Sequence, residues 1–282
     1  MPIFSRTDGT LVRDVPATRR IMPFILPTKD AATVYFEQEL DVTQAQAFLD
    51  RQPKSKTGKL TLFHLFTHAV VKTIGERPKL NRFLAGANIY QRNAIELSFA
   101  AKKSMNDEAP VVVIKRAFDP EATFEEHVST LSGGIAEGRS PKANSTDKEL
   151  SLFLKLPAFM LRWFVALALW LDSKNLLPSA FTKPDPLFCS VFVTNLGSVG
   201  LDAVYHHLFE WGNCPIFAAL GRVREIERDG RRRKVCTVRW TFDERIEDGL
   251  YCARSLERLK EMVESWGEAE GREVESGERD AA

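Results

Sequence analysis

The chain has 282 residues, 44% of them hydrophobic and 27% charged, which supplies ample apolar material for a buried core. Its 39 Lys and Arg against 38 Asp and Glu leave no bulk charge to favour nucleic acid or an anionic surface as an obligatory partner. The four cysteines, Cys189, Cys214, Cys236 and Cys252, form no Cys-x-x-Cys pair and have no histidine at ligand spacing, so a reducing compartment and no metal site are expected.

Arg6, Asp8, Arg13 and Asp14 stand where a secretory signal would need an apolar stretch, and the cytoplasm is the expected location. After this polar entry, residues 32–42 read as a strand rich in Val, Tyr and Phe, with a helix starting at Thr43. Residues 60–77 carry Phe63, Phe66, Val70 and Ile74 as a helical stripe that stops at Pro78. Residues 89–102 and 110–118 read as two strands, followed by a helix over 123–131. The Gly-, Ser- and Lys-rich stretch 132–147 is expected to be an exposed loop.

Further strands are expected at 188–194, 215–223 and 235–242. In the last of these Cys236, Val238, Trp240 and Phe242 alternate with Thr237, Arg239 and Thr241. Asp229-Gly230 marks a hairpin turn, and the basic run Arg231-Arg232-Arg233-Lys234 after it reads as solvated. A last helix is expected over 250–266, then an acidic disordered tail at 267–282. Helices packed on a mixed, largely antiparallel sheet in one domain over 1–266 give an α+β class.

Residues 152–171 are almost wholly apolar, broken by Lys155, Pro157 and Arg162. The uninterrupted run from Trp163 to Leu171 is far short of the roughly 20 residues a membrane span needs, so no transmembrane segment is expected. An all-round apolar helix is normally buried in a core or subunit contact. Covering an acyl pocket and peripheral contact with a membrane interface are the other readings.

Three separated segments, Arg77-Pro78-Lys79-Leu80-Asn81, Phe192 to Gly197 and Asp243 to Gly249, together resemble the catalytic domain of the 2-oxoacid dehydrogenase (dihydrolipoamide) acyltransferases, within the chloramphenicol acetyltransferase-like superfamily. Arg77-Pro78-Lys79-Leu80-Asn81 is similar to the family's Pro-x-Leu-Asn helix end. Phe192-Val193-Thr194-Asn195-Leu196-Gly197 is similar to its Phe-Thr-Ile-Ser-Asn-Leu-Gly strand and turn, with residues 216–221 as the strand that follows. Asp243-Glu244-Arg245-Ile246-Glu247-Asp248-Gly249 is similar to its Asp-His-Arg-x-x-Asp-Gly.

The resemblance implies a chloramphenicol acetyltransferase-like sandwich that forms homotrimers, with sites between neighbouring subunits and coenzyme A or acyl-CoA as substrate rather than as a covalently bound cofactor. The chain starts close to the catalytic domain, so no lipoyl arm in cis is expected. By the same resemblance Glu244 occupies the catalytic histidine position, Thr194 the oxyanion-stabilising hydroxyl and Asp248 a geometry-holding acid, with Arg19 or Arg20 as its partner. Asn195, Gly197 and His207 are read as substrate-binding. A glutamate near pKa 4.3 taking a proton from a thiol near 8.5 faces about 5 to 6 kcal/mol, whereas histidine near 6.5 faces about half that. Crowding by Asp243, Glu247 and Asp248 would raise its basicity, and Arg245 would oppose this.

The other histidines carry weaker signals. His206 and His207 are a relocated base or a surface pair, His64 and His68 lie one helical turn apart on what reads as a polar face, and His127 sits on an amphipathic helix. The function expected is transfer of an acyl group from a coenzyme A thioester to an acceptor. The alternatives are a catalytically inactive trimeric scaffold or acyl-CoA-binding pseudoenzyme, and a peripheral lipid-facing protein.

Overall fold

The computed structural model describes residues 5–52, 59–102, 111–140 and 154–266. The acidic tail expected over 267–282 lies outside the described residues. Strands β1 (Gly9–Leu11), β3 (Arg82–Ala85) and β4 (Asn88–Arg92) form a small antiparallel sheet in the order β1-β4-β3. The large sheet has six strands: β2 (Thr33–Asp41), β5 (Ile95–Lys102), β6 (Val111–Phe118), β7 (Val191–Asn195), β8 (Ile216–Arg228) and β9 (Arg231–Asp243). Their order is β2-β9-β8-β7-β5-β6, with β7 parallel to both neighbours and the other pairs antiparallel.

One face of this sheet carries helices α3 (Thr43–Arg51), α4 (Leu62–Glu76), α5 (Phe124–Arg139) and α8 (Gly249–Glu264). Alternation decides which side chains meet them. Val191, Val193, Ile216, Ala218, Leu220, Val238, Trp240 and Phe242 point inward and pack with Phe66, Val70, Leu256 and Leu259 in one buried cluster. The opposite face is crossed by the irregular segment 201–214, pinned by Arg239 donating to the Ala203 carbonyl (2.8 Å) and Thr241 to the His206 carbonyl (2.6 Å). Remaining helices are α1 (Ala17–Arg20), α2 (Met22–Ile25), α6 (Ala158–Ser173) and α7 (Ser179–Thr182).

Three expectations are corrected. The single strand over 89–102 is two strands in two sheets, because the chain bends at Asn93-Ala94, where Asn81 holds the Ala94 carbonyl (2.9 Å) and Asn93 bonds Thr7 and Thr10. The loop over 132–147 begins later, because α5 runs to Arg139. Its glycines are what allow the helix to press onto β6, since a Cβ at Gly138 would lie 2.7 Å from Ile114. Residues 141–147 lie outside the described residues. Finally, α6 contributes no buried residue, so the segment 152–171 is not core; Ser151, Leu152 and Phe153 are outside the described residues.

The polar histidine face is also corrected. His64 accepts from the Thr61 N–H (3.2 Å) at the start of α4, while His68 and His127 are buried at 7% and 1% exposure. They meet ring to ring at 5.1 Å, with Phe118, Phe124 and Trp266 around them, and His127 Nε2 shares a 2.9 Å hydrogen bond with Thr67. Burial pushes His68 down to about 4 and His127 down to about 3. A histidine depressed in the folded state contributes stability above its unfolded pKa near 6.5 and loses it as pH falls toward the folded value. Urea midpoints are therefore expected to fall between pH 6.5 and pH 4, and to fall less steeply in His68→Gln/His127→Gln; equal slopes in the two proteins would remove the histidines as the cause.

Candidate functional site

Glu244 follows the last residue of β9 and starts the tight connection into α8. Its N–H donates to the Ala32 carbonyl (2.9 Å) and its own carbonyl accepts from the Arg19 guanidinium, so the turn just before strand β2 and helix α1 clamp the backbone from two sides. The carboxylate is half-buried and makes no hydrogen bond or ion pair among the described residues. It is thus available to a ligand.

The flanking charges are committed elsewhere. Arg245 forms a two-point pair with Asp243 (2.8 and 2.7 Å) and donates to the Leu26 carbonyl (2.9 Å), and the two side chains are only 6% and 2% exposed. Glu247 is paired with Arg82 (2.8 Å) and Lys79 (3.3 Å). The like-charge crowding expected from Asp243 and Glu247 is therefore already neutralised by cations.

Asp248 caps α8: its carboxylate accepts from the Tyr251 N–H at 2.8 Å. That hydrogen bond, with the Glu247 contact and the nearby Arg19 guanidinium, holds its carboxyl below the usual range. The Arg19 expectation is half met, since the guanidinium bonds the Glu244 carbonyl and acts on Asp248 through its field. Arg20 lines a separate cleft together with Leu11, Arg13, Ile21 and Phe24.

Thr194 lies near the end of β7 on the face opposite the helices, half-buried, with no hydrogen bond from its hydroxyl among the described residues. Asn195 and Gly197 serve the turn after it. The Asn195 side chain accepts from the Ser198 N–H (3.2 Å), and Gly197 backs against Gly221 so tightly that a Cβ would sit 2.5 Å from the Gly221 oxygen. No side chain at position 197 fits this close approach.

The register separates these groups. Thr194 pairs with Ala219, and Ala219 with Arg239, five positions before Glu244 on β9. At about 3.3 Å per residue and 4.8 Å per strand, Thr194 and Glu244 of one chain are roughly 15 to 20 Å apart. One chain does not bring them together.

His206 and His207 sit toward the Glu244 end. The His206 ring stacks on Phe217 at 4.0 Å, the residue paired with Thr241, and on His207 at 4.6 Å. His206 is half-buried with its pKa lowered by burial, whereas His207 is exposed. Sequence reasoning missed Arg19's grip on the Glu244 carbonyl and the Arg245 bond to Leu26. The Asp-x-Arg spacing hinted only at the Asp243–Arg245 pair, because a side chain two residues on can fold back onto the acid.

No group of His, Cys, Asp and Glu among the described residues is arranged to hold a metal ion, and the cysteines at 189, 214, 236 and 252 are free and buried. No helix among the described residues is long and apolar enough to cross a membrane.

Comparison with known proteins agrees with this architecture. Residues 17–117 match the sequence model of the 2-oxoacid dehydrogenases acyltransferase (catalytic domain) family. The chain is 25% identical over 235 residues to the lipoamide acyltransferase component of the branched-chain alpha-keto acid dehydrogenase complex of Bacillus subtilis (strain 168). That alignment takes in 80% of this chain and 45% of the relative, so the chain spans less than half the length of that protein.

Among solved structures, the dihydrolipoamide acetyltransferase of Azotobacter vinelandii superposes with a TM-score of 0.56 at 17% identity, covering 90% of this chain and 91% of that one. A chloramphenicol acetyltransferase gives 0.56 at 10% identity, covering 90% and 99%. The fold is the α+β chloramphenicol acetyltransferase-like sandwich, and the resemblance read from the motifs is borne out. The Azotobacter structure was studied for the catalytic roles of a serine, a histidine and an asparagine, the serine 52 residues before the histidine and the asparagine four after it.

Proposed function

We propose that the protein is an acyltransferase that moves an acyl group from a coenzyme A thioester to a thiol, alcohol or amine acceptor, at sites shared between the copies of a homotrimer. The observation that carries this reading is the separation of Thr194 from Glu244. Neither side chain has a hydrogen bond or ion pair among the described residues of its own chain, and they can act on one substrate only when supplied by different copies, as a closed ring of identical subunits permits. The spacing supports the assignment: Thr194 precedes Glu244 by 50 residues and Asp248 follows it by four, against 52 and four for the catalytic trio probed in the Azotobacter enzyme.

In such a site Glu244 takes the acceptor proton as the nucleophile attacks the thioester carbonyl. Thr194 of the adjacent copy donates its hydroxyl hydrogen bond to the oxyanion that forms. Collapse of that intermediate breaks the carbon–sulfur bond, and the leaving coenzyme A thiolate recovers the proton from Glu244. Asp248 and Arg19 take no part in the proton transfer. They fix the backbone on either side of Glu244, one by capping α8 and one by holding its carbonyl.

Glu244 itself favours a second reading, a trimeric acyl-CoA-binding protein without turnover, because a carboxylate is by nature a weaker base toward a thiol than an imidazole. The two are separated by release of free coenzyme A from a panel of short to long acyl-CoA thioesters, with thiol, amine and alcohol acceptors present. Acceptor-dependent release above background is expected. Binding of acyl-CoA with no release from any member of the panel would leave the non-catalytic reading standing and overturn the first.

A further inference from the structure

Helix α6 is the most exposed apolar element among the described residues. Phe159 is 72% exposed, Trp163 59% and Trp170 53%, and Leu154 and Phe181 on either side are 60% and 62% exposed. Phe159, Trp163, Ala166 and Trp170 follow i, i+4, i+7, i+11 spacing and so form one stripe facing outward. Met160, Leu161, Leu167, Ala168 and Leu171, on the other side of the helix, are half-buried.

The helix is held at its C-terminal end. Arg6 pairs with Asp172 (2.9 Å) and donates to its carbonyl (3.1 Å), Asn175 donates to the Tyr90 hydroxyl (2.9 Å), and the Arg6 guanidinium lies 5.3 Å from the Phe83 ring centre. These contacts fix α6 to the small sheet and set its orientation relative to the domain.

Along the segment that carries the helix the exposed charges have one sign. Between residues 154 and 183 the ionisable side chains are Lys155, Arg162, Lys174, Lys183 and Asp172, and Asp172 is taken by Arg6. What remains exposed is a tryptophan-bearing apolar stripe rimmed by four cations. Two copies meeting face to face through this surface would place those cations against each other, which opposes an isologous contact through it. An anionic lipid surface answers both features, because tryptophan settles at the headgroup level and basic side chains meet lipid phosphates. At 16 residues α6 is about 24 Å long, short of the roughly 30 Å hydrocarbon core, so it lies on a bilayer rather than through it.

We infer that α6 docks the protein on an anionic phospholipid bilayer, with Phe159, Trp163 and Trp170 in the headgroup region and Lys155, Arg162, Lys174 and Lys183 on the phosphates. Docked this way, the protein meets acyl donors or acceptors that reside in the membrane. This inference stands on the surface of α6 alone and does not depend on turnover at Glu244.

The test is flotation of the full chain with vesicles of phosphatidylcholine alone and of phosphatidylcholine with phosphatidylglycerol, with tryptophan emission and light-scattering mass recorded for the same samples. Native protein is expected to float with the phosphatidylglycerol vesicles and shift its emission to the blue. Trp163→Gln/Trp170→Gln is expected to lose at least tenfold in binding at unchanged mass, and Lys155→Gln/Lys174→Gln about fivefold per lysine removed. Absence of binding to either vesicle, or equal binding by the tryptophan variant, overturns the inference. A fall in molecular mass in the tryptophan variant also overturns it, and assigns the face to contact between copies.

Discussion

Glu244→Gln is expected to lower kcat/KM for thioester consumption by about 100- to 10,000-fold, the range associated with removing a general base. The substitution keeps size and shape while removing the charge and the ability to take a proton. The two bonds that hold the backbone at this position come from Ala32 and Arg19 and involve main-chain atoms of residue 244, so they survive the change. Assembly and thermal stability should therefore stay native while turnover is lost. Glu244→His is the complementary variant, since imidazole lies about two pK units closer to a thiol, and it should exceed native turnover at pH 7. Retained activity in the glutamine variant, measured as coenzyme A release, would remove Glu244 from the proton transfer.

The second large effect is structural. Asp243→Ala is expected to cost about 3 to 5 kcal/mol, or roughly 10 °C in Tm, because it strands a buried guanidinium. Arg245 is 6% exposed and its remaining bond would be to the Leu26 carbonyl, too little to offset the lost carboxylate. Replacing both partners with apolar residues, as in Asp243→Leu/Arg245→Met, should cost far less, since no orphaned charge remains. Urea unfolding of the two variants decides the matter. A loss below about 1 kcal/mol in Asp243→Ala would mean that Arg245 reaches solvent when its partner is removed.

The parts of this fold that were legible in the sequence are those fixed by local patterning. The alternation at Cys236, Val238, Trp240 and Phe242 placed β9 and its inner face, and Asp229-Gly230 placed the hairpin turn, where Asp229 and Gly230 both take positive φ. The α4 stripe and its stop at Pro78 were equally plain. What periodicity cannot report is which sheet a strand joins, so β4 and β5 read as one run although they pair with different partners. Nor does glycine content forbid a helix where close packing rewards its lack of a side chain, as α5 shows against β6.

The site divides in the same way. Motif spacing nominated Thr194, Glu244 and Asp248, but the distance between Thr194 and Glu244 depends on strand register and not on distance along the chain. The apolar run in α6 reads as a core or subunit contact because such helices normally are buried, and burial is a property of the partner as much as of the helix. In the described chain it has none to cover its outer stripe.

The claim that the site is built from two copies is tested most directly by mixing two inactive variants, Thr194→Ala and Glu244→Gln, under conditions where subunits exchange. In a randomly mixed trimer about a quarter of the shared sites receive an intact threonine from one copy and an intact glutamate from its neighbour. Turnover should therefore return to about a quarter of the native rate, while each variant alone stays near background. No recovery after exchange has been verified by mass would contradict a shared site and would place both residues' roles within a single chain.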